Sequence, residues 1–449
     1  MNRKKKIRIQ LCASTCLLYF ISMFPSVAQD GSQTWTLDQC IEYALKHNFT
    51  IQQTMLQSDK AAVNLKSAKN NYLPEIVGKG RNIYNWGLFV DPATNLLTTQ
   101  SSEIYTGSVE GELTLFNGGY NYYTLKQNRD LLNATLTDNK KVSNDITLAI
   151  ISAYYQVLFA QEQIKITTAQ RDQSRSQYEL IKGMVEKGVL SKINLQEVES
   201  ELAQREASIT IANSNTQRSQ LVLKQLMAYK NGNLHLLNED KNSIPDSLQI
   251  EPYEQIKEKA CTFLPEIKSA QYRLNALQYR SQATNSLRLF TFSVSGGVIT
   301  RSSNLVQLEQ KKQFKQNLTE YVSFNLAVPI FSKFLKVNAL ALSKIDVDIQ
   351  KKELDKVNLE VEQRIQGAYL DLVTAHNNFN ALKKKTKAFQ TQYNYASRAY
   401  SSGIINYIEY NYAANMLVTS QLEQLISEYD FYLKRKTLEF YEGNGHCQR

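Results

Sequence analysis

Residues 142–164, VSNDITLAIISAYYQVLFAQEQI, and residues 357–379, VNLEVEQRIQGAYLDLVTAHNNF, decide the fold. In the first, Val142, Ile146, Ile150, Ala153, Val157, Ala160 and Ile164 step by 4, 4, 3, 4, 3 and 4. Adding 215 to each number gives Val357, Val361, Ile365, Ala368, Leu372, Ala375 and Phe379, all apolar and of related size. The mean step, 22/6 or about 3.67, is the helical period of an 11-residue repeat. Seven positions agreeing in one register mark a duplication.

Landmarks outside the stripe keep the same offset. Leu115-Phe116 matches Ile330-Phe331, Ala153-Tyr154 matches Ala368-Tyr369, and Gly188 matches Gly403. Near the start of each half the register slips by about one residue, Asn48-Phe49-Thr50-Ile51 standing against Leu264-Pro265-Glu266-Ile267. Each half reads helix, strand, strand, long helix, turn, long helix. Proline supports this: there is none between 93 and 244 and none after Pro329. A proline inside a helix costs about 3 kcal/mol, so these gaps admit very long helices. Helices are expected over 119–187, 191–230, 332–402 and 406–440. The 69 residues of 119–187 would span roughly 100 Å at 1.5 Å each.

Four segments alternate as strands do, at about 75–90, 103–116, 289–300 and 320–330. Tyr105, Gly107, Val109, Gly111, Leu113 and Leu115 share one face of the second. Phe290, Phe292, Val294 and Val298 share one face of the third, and Val322, Phe324, Leu326, Val328 and Ile330 one face of the fourth. In the first, Lys79 and Arg81 fall where a lipid-facing strand would not have them. Such runs suit either a tilted outer-membrane strand or a half-buried sandwich strand. Four strands cannot close a bacterial barrel, which needs about eight, and open edges are not tolerated in lipid. Membrane insertion would therefore require several chains, and three would give twelve strands.

The N-terminus points to export. Arg3, Lys4, Lys5, Lys6 and Arg8 precede an apolar stretch from Leu11 to Phe24, and Ser26-Val27-Ala28 offers small residues for cleavage. Residues 1–28 are expected to be a signal peptide. Cleavage would remove five basic residues and lower the net charge from +10 to 47 − 42 = +5. The high isoelectric point is thus no argument for a nucleic-acid partner. No later stretch is apolar enough for a spanning helix. Cys40, Cys261 and Cys447 form neither a dense framework nor a CxxC pair. His47, His235, His376 and His446 have no metal-ligand or nucleophile partner at useful spacing. There is no P-loop or dinucleotide turn, and Lys383-Lys384-Lys385 reads as a solvated helix face. No catalytic residue and no cofactor are expected.

The duplicated order of helix, two strands and two long helices resembles the TolC-like outer-membrane efflux protein family over nearly all of the chain after the signal peptide. Leu113-Thr114-Leu115-Phe116-Asn117-Gly118-Gly119 and Leu326-Ala327-Val328-Pro329-Ile330-Phe331 look like that family's strand endings. Trp35-Thr36-Leu37-Asp38 through Ala44-Leu45 and Asn48 looks like its opening helix, and Tyr178–Glu201 and Tyr393–Gln421 look like its hairpin tips. The resemblance implies a mainly α fold with a transmembrane β-barrel: a homotrimer whose twelve-stranded barrel spans the outer membrane and whose helical hairpins form a periplasmic tunnel. It implies a signal peptide (1–28), two structural repeats (29–230 and 253–440), an equatorial linker (231–252) and a tail (441–449). It implies a passive exit duct of a tripartite efflux or secretion system, joined by a periplasmic adaptor (membrane fusion) protein to an inner-membrane pump of the resistance-nodulation-division or ABC type.

The family places acids after the turn glycines. Six residues after Gly403 stands Glu409, and six after Gly188 stands Asn194. Three further on are Tyr412 and Glu197, while Tyr400 resembles a tip tyrosine used in closure. Ile405 occupies the place of the family's basic residue. Glu409, Tyr412, Tyr400, Asn194 and Glu197 are the pore-constriction candidates. Three inward copies of a carboxylate would form a ring that attracts cations. Gly188, Val189, Leu190 and Ser191, with Gly403, Ile404, Ile405 and Asn406, are the adaptor-docking candidates, because apolar residues at an exposed turn suggest a partner surface. Three rival readings are a periplasmic adaptor, disfavoured by two proline-free helical blocks, a structural coiled-coil protein, disfavoured by strand pairs at matched places in the repeat, and a periplasmic enzyme, left with no residues to act.

Overall fold

The computed structural model describes residues 34–91, 95–230, 232, 234–238 and 244–443; the expected signal peptide and most of the tail, with Cys447, lie outside them. The first half opens with β1 (Thr34–Trp35) and α1 (Leu37–His47). Thr36 and Gln39 exchange side-chain-to-backbone hydrogen bonds of 3.2 and 3.1 Å, a capping box that fixes where α1 starts. Asn48 then separates α1 from α2 (Phe49–Asn70): its side chain accepts from Thr50 and Ile51 N–H and donates to the Leu226 carbonyl at 2.7 Å. The single opening helix read from the sequence is therefore two.

There follow β2 (Glu75–Asn85), a small hairpin of β3 (Phe89–Val90) and β4 (Leu97–Thr98), and β5 (Ser102–Asn117). The strand expected over 75–90 stops at Asn85, because Gly87 turns left-handed at φ 101°. Helices α3 (Tyr120–Glu186) and α4 (Lys192–Met227) complete the half. The linker's β6 (His235–Leu236) pairs parallel with β1.

The second half has α5 (Tyr253–Phe263) and α6 (Pro265–Ser286), divided at Leu264-Pro265. Pro265 sits in the first turn, where its missing N–H removes nothing from the helix. Next come β7 (Thr291–Ser303), α7 (Gln310–Gln316), which the sequence reading did not anticipate, and β8 (Thr319–Ala327). The strand expected to reach 330 ends at Ala327, two residues before Pro329, which has no N–H for the ladder. Helices α8 (Leu335–Ser401) and α9 (Tyr407–Tyr441) close the chain. Both α3 and α8 contain 67 residues, about 100 Å of helix.

The duplication is visible in the backbone itself. Gly118 and Gly119 enter α3 with φ 68° and 90°; Lys333 and Phe334, each 215 residues on, enter α8 with φ 50° and 58°. Gly188 and Gly403 share φ near 70°, and Ala228 and Gly443, again 215 apart, both end their helices left-handed. The one-residue slip falls between the paired strands, since α2 and α6, and β2 and β7, are offset by 216 while α3 and α8 are offset by 215.

The four long strands form one antiparallel sheet in the order β2-β5-β7-β8. Directly paired residues share a face. Ile76, Gly111, Gly296 and Val322 lie in one row, Leu113, Val294 and Phe324 in another, and together they make an apolar face. A bulge between Thr114 and Phe116 displaces Leu115 and puts Phe116 opposite Phe292 on that face. The other face carries Glu75, Lys79, Arg81, Glu110, Glu112 and Arg301, with Lys79 bridged to Glu110 at 2.7 Å. Lys79 and Arg81 therefore do not interrupt the apolar face; they belong to the opposite one.

All the helices except the short α7 run from one end of this sheet. Nearest it they neighbour each other in the order α2-α3-α6-α8, and beyond mid-length α3 carries α4 and α9 while α9 packs on α8. The core lies at mid-length, where the two stripes meet: Ile150 and Val157 of α3, Val361, Ile365 and Leu372 of α8, Phe431 and Leu438 of α9, and Cys40 and Ile41 of α1 are all buried. Linker residues Leu234 and Ile244 join this cluster, and the Tyr154 hydroxyl donates to the Leu237 carbonyl.

Candidate functional site: the helical tips

Both hairpins end in the same construction. Gly188 N–H donates to the Val185 carbonyl (3.0 Å) and Val189 N–H to Met184 (2.9 Å); Gly403 N–H donates to Tyr400 (3.0 Å) and Ile404 N–H to Ala399 (2.9 Å). These paired bonds across a left-handed glycine are the Schellman stop, which satisfies the last carbonyls of α3 and α8. Ser191 and Asn406 then start the return helices. The Ser191 hydroxyl donates to Asn194 Oδ1 at 2.6 Å, and Asn406 Oδ1 accepts from Glu409 N–H at 2.9 Å.

The adaptor-docking candidates thus cluster at two exposed turns. Val189 and Ile404 are about 70 % exposed, Gly188, Ser191, Gly403 and Asn406 are exposed, and Leu190 and Ile405 are half-buried. Among the pore-constriction candidates, Glu409 is exposed in the first turn of α9, where a carboxylate suits the helix dipole. Tyr412 is exposed one turn on, beside Glu409 on the same side of the helix. Asn194 is half-buried in its cap and Glu197 is exposed.

Tyr400 differs. Its ring stacks on Tyr410 at 5.0 Å and meets Tyr407 edge-on at 6.2 Å, inside a cluster that also holds Tyr393. Gln173 Nε2 of α3 donates to both Tyr393 Oη (2.7 Å) and Tyr410 Oη (3.0 Å), and Gln177 Nε2 donates to Tyr410 Oη (3.1 Å). Beside them Arg205 of α4 is paired with Glu201 at 2.6 Å, both side chains 16 % exposed, and reaches Asn415 of α9. Burial above all pushes the Tyr393 and Tyr407 phenols up to about 12, with Tyr410 adding to the first and Glu201 to the second. The cluster is therefore neutral at physiological pH and ties the second hairpin to the first. Sequence reading missed Tyr393, Tyr407, Tyr410, Gln173 and Arg205; the signal available was the seven-residue spacing of Tyr393, Tyr400 and Tyr407.

Among the described residues no group of His, Cys, Asp and Glu is arranged to hold a metal, and no helix is long and apolar enough to cross a membrane. Cys40 and Cys261 are free thiols.

The family model for outer membrane efflux proteins matches residues 40–228 and 260–444, one segment per repeat. No curated protein sequence matches the chain. Among solved structures, a membrane protein from Pseudomonas aeruginosa shares the fold with a TM-score of 0.78 at 16 % identity, over 92 % of this chain and 91 % of that one. The Campylobacter jejuni CmeC outer membrane channel gives 0.77 at 16 % identity, over 91 % and 86 %. The Vibrio cholerae outer membrane protein VceC gives 0.75 at 13 % identity, over 91 % and 96 %. The chain therefore belongs to the outer membrane efflux protein family, as a passive outer-membrane channel component and not an enzyme, its sheet a share of a transmembrane β-barrel and its helices a periplasmic extension.

Proposed function

We propose that three copies of the chain close into a continuous duct, the exit channel of a tripartite efflux or secretion system. The observation that carries this is the pair of unmatched edges. The sheet ends in β2 on one side and β8 on the other, and the helices next to it end in α2 and α8. Within the chain α3 packs against α6. The duplication maps α3 onto α8 and α6 onto α2, so α8 of one copy should meet α2 of the next. Both helices expose apolar residues on those sides: Phe49, Leu56 and Val63 on α2, and Leu342, Ile345 and Ile349 on α8. Such a head-to-tail contact closes a ring when the rotation allows it. Two copies would give about eight strands, an interior filled by side chains. Three give twelve and leave a lumen, lined by the face that carries Lys79, Arg81, Glu110 and Arg301.

The repeat also supplies the register of the contact. Ser269 and Arg273 of α6 both donate to Asp138 of α3, at 2.5 Å. Adding 215 to 138 and subtracting 216 from 269 and 273 pairs Glu353 with Gln53 and Gln57 of the neighbouring copy. Cysteines at Gln57 and Glu353, with the native cysteines replaced, should give a disulfide ladder ending at trimer. A ladder ending at dimer, or none in correctly inserted protein, would overturn the assembly.

In this duct the tips form the gate and the docking surface. Glu409 and Tyr412, with Asn194 and Glu197 of the first tip, line the constriction, and the tyrosine cluster around Tyr400 braces it. Three Glu409 carboxylates drawn together repel, and protonation or a bound cation relieves that repulsion. Val189, Leu190 and Ser191 with Ile404, Ile405 and Asn406 receive a periplasmic adaptor coupled to an inner-membrane pump. Glu409→Gln should weaken cation block of single-channel conductance while leaving trimers intact; unchanged block against a cation-sensitive wild type removes Glu409 from the constriction. Cysteine probes at Ser191 and Asn406 should crosslink to the adaptor in cells, and failure at both in an assembled complex rejects the docking assignment.

A further inference from the structure

The β3–β4 hairpin lies over the polar face of the sheet, at the end farthest from the long helices. Register places it there. Arg81 pairs with Thr106 on the polar face, so two residues on Ile83 pairs with Ile104, and then Asn85 with Ser102, on that same face; Ser303, paired with Ile104, joins them. Asp91 of the hairpin is fully buried against these residues: it accepts the Ser303 hydroxyl at 2.5 Å and the Ser102 hydroxyl at 3.4 Å. Ile104 is 2 % exposed, although it faces the side that elsewhere carries Lys79, Arg81 and Arg301. The opposite face is otherwise occupied at this height. There Glu103, paired with Tyr84, accepts the Tyr105 hydroxyl at 2.5 Å and Asn82 Nδ2 at 2.9 Å. Gly87, at φ 101°, is where the chain leaves β2 to fold over.

The hairpin itself has two sides. Phe89 pairs with Thr98, and Val90 with Leu97. Phe89 and Thr98 are half-buried, and alternation puts Phe89 with Asp91 on the side toward the sheet. Val90 and Leu97 take the other side, 51 % and 67 % exposed, and alternation adds the exposed Leu88. From Tyr84 to Ser101 the only charged residue is the buried Asp91. In a closed ring of copies the polar face lines the lumen, so the apolar side of the hairpin points toward the axis and away from lipid. A cluster of apolar residues held out into a water-filled duct marks a contact surface.

The dimensions of the duct say what covers it. Twelve strands about 4.8 Å apart and tilted about 40° enclose a barrel about 24 Å across between backbones, so the axis lies about 12 Å from the wall. A β-layer packed on that wall sits about 10 Å from it. Three such layers entering from three directions therefore meet at the axis, and without exposed charge they do so without repulsion.

We propose that the three β3–β4 hairpins of the trimer meet one another across the axis at the outer end of the duct, with Leu88, Val90 and Leu97 of each copy covered by those of the other two. The contact forms an apolar constriction, separate from the helical tips, that excludes water and ions. It rests on the three-copy duct with the polar face inward, and adds a closure at the opposite end from the tips.

Leu97→Cys, in the full chain with its native cysteines replaced, supplies the test. Oxidised in isolated outer membranes and run on a denaturing gel, it should link two copies of each trimer as a disulfide dimer and leave the third as monomer, and reductant should reverse this. Tyr84→Cys, on the outward face at the same end of the sheet, is the control and should stay monomeric. A Leu97→Cys dimer no stronger than that of Tyr84→Cys reflects collisions between separate trimers and overturns the proposal. The disulfide ladder from Gln57→Cys with Glu353→Cys, run in parallel, separates the hairpin contact from the duct. If the ladder ends at trimer and Leu97→Cys stays monomeric, only the hairpin contact falls; if the ladder does not reach trimer, the duct falls and the contact with it.

Discussion

Tyr400 lies against Tyr410 with ring centroids 5.0 Å apart and planes 20° from parallel, joining the last turn of α8 to the first turn of α9. The Tyr410 hydroxyl meanwhile receives Gln173 and Gln177 from α3. Tyr410→Phe keeps the stack but removes the acceptor of Gln177 Nε2 in a half-buried site, while Gln173 Nε2 retains Tyr393 Oη. An unsatisfied buried donor costs about 1–3 kcal/mol, so the variant should open more readily. The measurement is single-channel conductance in planar bilayers, with a higher open fraction expected; an unchanged open fraction would show that the cluster does not hold the tip.

The same cluster sets a pH expectation. Phenols raised from 10 to about 12 keep their folded-state contribution below pH 10 and lose it only as pH rises through about 12. Closure should therefore show no tyrosine-linked change between pH 6 and 9. Tyr410→Phe should shift the open fraction by a constant factor across that range. A pH profile between 6 and 9 altered by Tyr410→Phe would overturn this expectation.

Glu428 offers a stability test. Burial raises its carboxyl, the charge of Glu162 adds to this, and a hydrogen bond from Tyr432 opposes it. A raised folded-state pKa means that stability is retained at low pH and lost as pH rises through that value. Glu428→Gln should accordingly raise the melting temperature at pH 8 and leave it unchanged at pH 4. A variant less stable than wild type at pH 8 would mean that the charge is compensated.

The strand-to-helix junctions can be told apart. A Cβ on Gly118 would fall 2.4 Å from the Ser286 carbonyl and 2.9 Å from Leu289 Cβ, at φ 68°. Gly118→Ala should therefore cost more than about 2 kcal/mol, through strain and overpacking together. Lys333, its partner in the repeat, holds a left-handed conformation without being glycine, so Lys333→Gly should gain about 1 kcal/mol. Thermal unfolding in detergent measures both; a neutral Gly118→Ala contradicts the geometry.

Adjacent residues of β8 distinguish the faces of the sheet. Phe324, 70 % exposed in the single chain, stands on the apolar face, and Ser323 on the polar one. Phe324→Lys should cost about 2–4 kcal/mol near the bilayer midplane, while Ser323→Lys should leave insertion intact. Urea unfolding from lipid vesicles compares them, and equal losses would mean that the faces are misassigned.

Helical extent and duplication were legible in the sequence because they depend on local rules. A stripe at 3.67 residues, the absence of proline and the glycines at 188 and 403 act through neighbours a few residues away, and the structure places α3 and α8 within three residues of those limits. Strand ends were read less well. Pro329 stopped β8 early, and Gly87 turned the chain where alternation suggested that it would continue.

What only the tertiary structure decided is who meets whom across the chain. The sequence set Lys79 and Arg81 against a lipid face; pairing with β5 put them opposite Ser108 and Thr106 on the charged face, because register, not composition, fixes which side a strand residue takes. At the tip, spacing from the turn glycines picked out Tyr400 and Glu409 alike. The fold separates them: Tyr400 stacks on the buried Tyr410, which Gln173 and Gln177 of α3, more than 200 positions away, hold in turn, while Glu409 stays exposed in its cap. A repeat can be counted along the chain, but a contact between helices depends on how two faces rotate toward each other, and that is set by packing over their whole length.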